Sequence, residues 1–224
     1  MPSFEARPFC WDCRRPLPVC LCARAEAFHS GLALTVLEHH LEARSTIGTA
    51  RILRRFARDA RVLPGRTAEF EAHPELEGRI ATPGWASAVL FPSPGALDLS
   101  RCSPEDARSV FTPGLRPHVV VVDGTWNKAS GILRRCRALA GLPRIAFTPD
   151  RESSYLIRKQ PRPVCWSTLE ATVEVIDRLD RLGVAPAPPG RAHHKLLDAL
   201  DYLVETQLRY RGRPRSVSRS PRAN

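Results

Sequence analysis

The stretch HVVVVDGTW, residues 118–126, decides the fold class of this chain. Its four consecutive valines are typical of a strand buried on both faces in the middle of a parallel sheet. Asp123 then leaves the strand directly into a glycine turn, and Trp126 opens a segment with helical spacing. The stretch therefore predicts an α/β domain with a polar group at the carboxyl edge of its sheet.

Similar patterns alternate on both sides of this stretch. The predicted elements are strands over 31–39, 86–91, 118–122, 144–148 and 164–166, and helices over 46–60, 126–140, 167–182 and 191–208. Residues 93–117 are predicted to form a loop with one helical turn after Ser103, and APAPPG (185–190) a stiff linker. The alternation predicts one α/β domain over 31–208, with a largely parallel sheet and flanking helices.

The charge of the chain points to a polyanionic partner. It carries 34 Lys+Arg against 23 Asp+Glu, a formal net charge of +11. Six arginines fall in residues 209–224, a segment without acids that we expect to be a disordered basic tail. A nucleic acid is the favoured partner, and a solvated tail that binds nothing is the alternative.

Other bulk features exclude some classes of protein. No apolar run is long enough to span a membrane, and the N-terminus lacks an apolar signal region, so we expect a cytoplasmic protein with no membrane partner. No obligate protein partner is evident, and the residues leave monomer and dimer open. Neither a G-x-G-x-x-G nor a P-loop motif follows a strand, so neither nucleotide-binding fold is indicated.

Four cysteines lie within thirteen residues near the N-terminus: Cys10, Cys13, Cys20 and Cys22. Two close pairs of thiols joined by a loop can supply the four soft ligands that zinc prefers. Residues 1–30 are therefore predicted to be a small Cys-rich module with a closed, structural zinc site. The alternative is a set of unconnected thiols, one of them redox active. Cys136 and Cys165 are expected to pack in the core.

Three segments are expected to converge at the carboxyl edge of the sheet. The residues in them that we expect to bind a ligand are Leu90, Phe91, Pro92, Gly124, Thr125, Trp126, Ser167, Thr168 and Leu169, with Asp123 as the candidate catalytic group. An alternative interpretation makes Thr125 a helix cap, Gly124 a backbone necessity and Trp126 part of the core. Ser167 and Glu170 match a capping box, whose exposed turn can also bind a carboxylate.

Taken together, these motifs resemble the DTW-domain family. DGTW is similar to the motif that names the family, and the four cysteines, LFP (90–92) and STLEA (167–171) match further motifs in order. His39, Glu42 and Thr49 resemble its HPxE…NT segment, with His40 and Gly48 in place of the expected Pro and Asn. Tyr155 and Arg158 lie where the family has a similar Tyr/Arg stretch.

The resemblance implies a SPOUT-like α/β fold, for which a knotted backbone is one expectation. It implies S-adenosylmethionine as the donor of a 3-amino-3-carboxypropyl group and N3 of a tRNA uridine as the acceptor, with methylthioadenosine released. Asp123 then either removes the N3 proton or positions the donor. Two alternatives remain, an RNA methyltransferase and a non-catalytic zinc-containing RNA-binding protein. The expected phosphate contacts are Arg44, Arg51, Arg55, Arg58 and Arg158.

Overall fold

The computed structural model describes residues 8–24, 26–158 and 165–211. Its strands are β1 (Phe9–Cys10), β2 (Arg15–Pro16), β3 (Ala33–His39), β4 (Ala60–Gly65), β5 (Trp85–Leu90), β6 (Leu97–Asp98), β7 (Arg116–Asp123) and β8 (Arg144–Ala146). Its α-helices are α1 (His40–Ala43), α2 (Ala50–Phe56), α3 (Pro74–Ile80), α4 (Pro104–Val110), α5 (Trp126–Arg135), α6 (Arg137–Ala140), α7 (Thr168–Arg181) and α8 (Lys195–Arg211). Two 3₁₀ turns span Leu17–Val19 and Pro189–His194.

Six of the strands form one parallel sheet in the order β4-β3-β7-β5-β8-β6. β7, the strand with the four valines, lies at the middle of this order between β3 and β5. The predicted α/β class and the central position of residues 118–122 are therefore confirmed. Strands β1 and β2 pair separately, in an antiparallel ladder within the Cys-rich segment.

The valine run is apolar throughout because helices cover both faces of the sheet. Val119 and Val121 pack in the core formed with α2, α7 and α8, whereas Val120 packs with Ile132 of α5 and Leu139 of α6. Burying each such side chain contributes about 1.5–3 kcal/mol. A strand covered on one face only would alternate with polar residues, so this run requires the three-layer arrangement.

The helix predicted over 46–60 is wrong at both ends. It spans Ala50–Phe56, because Ala57 has extended backbone angles and pairs with Phe28. The chain then enters β4, which the sequence analysis did not predict. β4 contains Pro64, and its place at the edge of the sheet tolerates a residue without an N–H donor.

The helix predicted over 126–140 is divided in two. Cys136 takes an extended conformation (φ −71°, ψ 105°), which ends α5 and begins α6. The predicted turn after Ser103 is a full helix, α4, with a capping box between Ser103 and Asp106. Helix α3 and strand β6 were not predicted, because short elements in segments rich in turn residues give weak periodicity.

Three further boundaries differ from the prediction. Cys165 and Trp166 lie outside any strand, and residue 164 falls outside the described residues. The segment 185–190 is packed rather than free, since Ala185 is buried in the main core and the 3₁₀ turn begins at Pro189. Helix α8 continues to Arg211, so the first residues assigned to the basic tail are helical. Residues 212–224 of the predicted tail fall outside the described part of the chain.

Candidate active site and metal centre

Asp123 is the last residue of the central strand, so it stands at the middle of the carboxyl edge of the sheet. Its neighbour on β3 is Glu38, in direct register. On the other side, β5 ends at Leu90, which is paired with Val121. The convergence of strand ends that the sequence predicts is present in the structure.

Two contacts join the three turns at this edge. Thr168, the first residue of α7, donates its hydroxyl hydrogen to Oδ1 of Asp123 at 2.5 Å. The rings of Phe91 and Trp126 pack against each other with their centroids 5.7 Å apart. The turn after β5, the turn after β7 and the start of α7 therefore form one continuous surface, which we call the rim.

The electrostatic state of Asp123 is unusual. Its side chain is buried, and burial raises its pKa to about 6, although the hydrogen bond from Thr168 opposes the rise. The charge of Glu42 raises the pKa further, and that of Arg158 lowers it. The second oxygen, Oδ2, is closed to solvent and has no hydrogen-bond partner within the described residues. Burying a carboxylate oxygen without a hydrogen-bond partner costs free energy. A ligand that donates a hydrogen bond to Oδ2 would offset this cost.

The buried Glu42 and the half-buried Arg158 form an ion pair beside Asp123. Arg158 donates through Nη1 and Nη2 to the two carboxylate oxygens of Glu42, at 2.8 Å each. Lys128 of α5 approaches the same carboxylate at 3.6 Å. Burial alone would raise the pKa of Glu42, but the hydrogen bonds and charges of Arg158 and Lys128 outweigh it and lower the pKa. This pair fixes α1 against the segment that precedes α7.

Glu38 is a site residue that the sequence analysis missed. It is buried, and burial together with the nearby charge of Asp123 raises its pKa to about 7. The signal was present in the sequence, because Glu38 is an acid near the end of an apolar strand, as Asp123 is. His39 follows it and accepts a hydrogen bond from the backbone N–H of Leu41, at 3.3 Å, as the cap of α1.

The alternative interpretation of the DGTW turn is right about the cap position of Thr125 and wrong about Gly124 and Trp126. Gly124 does not have a positive φ, and a Cβ placed there would meet its nearest atoms, on Lys128 and His39, at 3.4 and 3.6 Å. Those are ordinary contacts, so the backbone does not require glycine. Thr125 stands at the cap position of α5 but makes no side-chain capping bond. Trp126 is 44% exposed, so it is not a core residue.

The STLEA segment is a capping box, as predicted. The Ser167 side chain accepts from the backbone N–H of Glu170, and the Glu170 carboxylate accepts from the backbone N–H of Ser167. Glu170 also accepts from the backbone N–H and side chain of Ser154, so its acceptor sites are occupied. Leu169 is fully buried in the core, whereas Pro92 is exposed in the turn after β5.

The four N-terminal cysteines form a group that can hold a metal ion. Their Sγ atoms all lie within 4.8 Å of one another, and the Cys10–Cys22 and Cys13–Cys20 sulfurs are each 3.7 Å apart. These distances are too long for disulfides. In a tetrahedral site with metal–sulfur bonds of about 2.3 Å, neighbouring sulfurs lie about 3.8 Å apart, which fits these residues.

Two arginines lie close to this group of sulfurs. Arg55, on α2, hydrogen-bonds the sulfur of Cys22, which raises the pKa of its guanidinium. Arg15 is buried, and burial lowers its pKa while the charges of Cys13 and Cys20 oppose the shift. Positive charges in these places offset the negative charge of a metal–thiolate centre.

The arginines expected to contact phosphate have different environments. Arg44 and Arg58 are exposed. Arg51 is half-buried and donates to the backbone oxygen of Ala43 at 2.9 Å. Arg55 and Arg158 each have a protein partner, as described above, so only part of the predicted set presents a free guanidinium.

A second group of potential metal ligands consists of Asp177, His193 and His194. His193 and His194 contact the two carboxylate oxygens of Asp177 at 2.9 and 2.7 Å, and Arg191 also donates to this carboxylate. These hydrogen bonds account for the arrangement, and the nearby guanidinium disfavours a cation. We therefore interpret this group as a polar link between α7 and the turn before α8. Within the described ranges, no helix has the length and apolar character needed to cross a membrane.

Comparison with known proteins gives one family match. A family model described as "DTW domain" matches residues 7–208, which is most of the chain. No solved structure matches this chain.

Several curated proteins are similar to it at modest identity. A protein of Macaca fascicularis named tRNA-uridine aminocarboxypropyltransferase 2 is 27% identical over 181 residues, covering 79% of this chain and 58% of the relative. Proteins of the same name from Drosophila melanogaster and Mus musculus are 26% and 25% identical over 178 and 180 residues. These alignments cover 76% and 79% of this chain and 66% and 58% of those relatives. The chain thus spans less than two thirds of the length of each.

Proposed function

Because this chain belongs to the DTW-domain family, we propose that it transfers the 3-amino-3-carboxypropyl group of S-adenosylmethionine to N3 of a uridine in tRNA. The names of the three relatives describe a transferase that acts on tRNA uridine. S-adenosylmethionine is proposed as the donor because it is a biological source of an activated aminocarboxypropyl group.

The observation that carries the proposal is the buried Oδ2 of Asp123, which has no hydrogen-bond partner among the residues that the structure describes. The atom lies at the rim. The other oxygen of Asp123 already accepts from Thr168, and the Phe91 and Trp126 rings already pack against each other. Oδ2 therefore offers an acceptor for one polar hydrogen of a substrate. Because Asp123 is closed to solvent, the rim turns must part to admit that substrate.

The reaction is a substitution at carbon. A bond forms between uridine N3 and the γ-carbon of the donor's aminocarboxypropyl chain, and the bond between that carbon and the sulfonium sulfur breaks. The sulfur keeps the bonding electrons, so methylthioadenosine leaves as a neutral thioether, and the N3 proton passes to Asp123. A carboxylate with a pKa near 6 is ionised at neutral pH and can accept this proton.

Orientation decides which sulfonium substituent is transferred, because three carbons bonded to the sulfur are electrophilic. Holding one carbon in line with N3 supplies the rate advantage of a positioned reactant. We assign this task to the turns at 90–92, 124–126 and 167–169, with the half-buried Phe91 ring and the exposed Trp126 ring available to a base. Asp123 has a second candidate role, a hydrogen bond to the donor's ribose or amino group.

We further propose that the metal is zinc and that it is structural. Four cysteine ligands fill a tetrahedron and leave no open position for a substrate. Bound zinc would hold the two cysteine pairs against α2, where Arg55 contacts Cys22.

Incubation of the protein with tRNA and S-adenosylmethionine tests the proposed function directly. We expect aminocarboxypropyluridine in the digested tRNA and methylthioadenosine as the by-product. S-adenosylhomocysteine with methylated uridine would show an RNA methyltransferase instead. Binding of tRNA without saturable binding of S-adenosylmethionine would show a non-catalytic RNA-binding protein.

The pH dependence of the reaction follows from the pKa of Asp123. Since the carboxylate must be ionised to accept a proton, kcat/KM is expected to rise with pH through about 6 and to level off above it. At pH 5 it should be about tenfold below the plateau. Single-turnover rates between pH 5 and 8 measure this, with recovery of full activity on return to neutral pH as the control. A flat profile over this range would remove Asp123 as the base.

A further inference from the structure

An open cavity of about 370 Å³ lies between the Cys-rich segment and α2, outside the rim. Its lining residues, which define what we call the Trp11 cleft, are Trp11, Asp12, Arg51, Arg54 and Arg55. This volume lies within the range of roughly 300–1,000 Å³ that is typical of ligand clefts. The lining is mostly cationic, with one acid and one aromatic ring.

The aromatic ring of the cleft is held in an exposed position. Trp11 is 82% exposed, although it lies in the short turn between the ligand pair Cys10 and Cys13. Phe9 packs edge-on against it, with ring centroids 5.1 Å apart. An indole ring fixed on a metal-bound turn loses little entropy when a flat ligand stacks on it.

Arg51 and Arg54 have no ion-pair partner within the described ranges, although Asp12 lines the same cleft. Burial lowers the pKa of Arg51, the like charge of Arg14 lowers it further, and the charge of Glu38 opposes this shift. Arg55 differs, because its partner is the Cys22 sulfur. Positive side chains gathered in this way favour an anionic ligand.

The cleft is connected to the rim through α1 and β3, because Arg51 donates to the backbone oxygen of Ala43 in α1 at 2.9 Å and α1 directly follows β3, the neighbour of β7. Helix α2 begins at Ala50, and its Arg51 and Arg54 lie close enough to Glu38 to lower the pKa of that carboxyl. Glu38 in turn is in register with Asp123. The carbonyl of Ile47, just before α2, accepts the hydroxyl of Tyr155 at 2.6 Å, which ties this end of the cleft to the segment before α7.

From this arrangement we infer that the Trp11 cleft binds an unpaired nucleotide of the RNA that flanks the target uridine. The base stacks on Trp11, and the phosphates on either side contact Arg51 and Arg54. Stacking requires a base that is free of its complement, so the ligand is single-stranded RNA rather than a duplex. The inference rests on the proposed function, since it places the next nucleotide of the same strand at the rim.

Trp11→Ala and Arg54→Ala test this assignment. We measure tRNA affinity by fluorescence anisotropy without donor at several salt concentrations, and then kcat and KM for tRNA with saturating S-adenosylmethionine. Trp11→Ala is expected to raise Kd and KM about tenfold with little change in kcat, and Trp11→Phe to restore most of the affinity. Arg54→Ala should reduce the slope of log affinity against log salt by about one.

Two variants serve as matched controls. Leu17→Ala removes another exposed apolar side chain of the Cys-rich segment, and Arg108→Ala removes an exposed arginine of α4 that is paired with Glu105. Both should bind tRNA as the wild type does. Zinc content is measured for every variant, so that a loss of metal is distinguished from a loss of stacking.

The outcomes separate this inference from the proposed function. Wild-type affinity in zinc-loaded Trp11→Ala would overturn the cleft assignment, whatever the enzyme makes. Competition by a duplex but not by a short single strand would also overturn it. If tRNA affinity depends on Trp11 but no modified uridine forms, the cleft stands and the proposed function fails.

Discussion

Replacing Asp123 by asparagine is expected to abolish transfer and, at the same time, to make the protein more stable at neutral pH. Asparagine keeps the shape of the side chain and an acceptor for the Thr168 hydroxyl, but it cannot take the N3 proton. Loss of a positioned general base lowers the rate about 10²–10⁴-fold. The rate is measured as modified uridine formed in a single turnover.

The expected gain in stability follows from the raised pKa of Asp123. Its pKa is about 6 in the folded protein and 3.8 ordinarily, a difference equivalent to about 3 kcal/mol. Below pH 3.8 the Asp123 carboxyl is protonated in both the folded and the unfolded protein, so burial of its charge costs no stability. As the pH rises through about 6 the folded state must release its proton in a buried place, and stability is lost. Asparagine removes this cost.

Thermal unfolding at two pH values checks the prediction. At pH 7.5 Asp123→Asn should unfold several degrees above the wild type, by about 5 °C or more, and near pH 4 the difference should shrink towards zero. Any effect of acid on the metal centre is common to both proteins and cancels in the difference.

Asp98→Asn is a matched control, because Asp98 also ends a strand of the sheet. Burial would raise the pKa of Asp98, but hydrogen bonds from Ser100 and Thr148 and the charge of Arg101 outweigh it and lower the pKa. Its replacement should therefore bring no gain in stability at neutral pH. If Asp123→Asn also brings none, burial does not raise the pKa of Asp123, and if it retains wild-type transfer, Asp123 is not the base.

The sequence predicted those parts of the site that depend on local pattern. The four-valine strand followed by Asp123 is a signal that spans a few residues, and so is the capping box that begins at Ser167. Parallel topology then brings their strand and helix ends to one edge, so the rim could be predicted without coordinates. Helical spacing was equally local but misleading over 57–60, because Ala57 pairs with Phe28 and Ala60 begins the edge strand β4, which pairs with β3.

What the sequence could not provide are the contacts between distant segments. The Arg158–Glu42 pair joins residues 116 positions apart, and no periodicity in the sequence predicts it. Nor does the sequence predict the partner of Arg55. This arginine was expected to contact RNA, but it contacts Cys22 of the four-cysteine group. The Trp11 cleft likewise exists only because the Cys-rich segment packs on α2.

Removal of the metal is expected to have the second large effect, on stability. Cys13 and Leu21 are buried in the same core as Phe56 of α2 and Leu203 of α8. The Cys-rich segment has too few apolar residues to fold alone, so we expect its place in that core to depend on a bound metal. Cys13→Ser should lose zinc and at least about 3–5 kcal/mol of stability, which lowers the unfolding temperature by about 10 °C.

Cys136→Ser is the control for this substitution. Cys136 is as buried as Cys13 but lies at the end of α5, outside the group of four sulfurs. It should retain one zinc per chain, and its smaller loss reflects only a buried hydroxyl. A strong chelator should lower the unfolding temperature of the wild type and of Cys136→Ser, but not that of Cys13→Ser. A zinc-loaded Cys13→Ser, or a chelator without effect on the wild type, would contradict a structural role for the metal.

The consequence for activity separates the metal centre from the rim. Loss of zinc is expected to free the turn that carries Trp11, whereas Asp123, Thr168 and Phe91 lie at the carboxyl edge of the main sheet. Metal-depleted protein is therefore expected to lose tRNA affinity while it still binds S-adenosylmethionine. Calorimetric titration of the donor, before and after chelation and below the lowered unfolding temperature, measures this. A parallel loss of both ligands would show that the rim also depends on the metal.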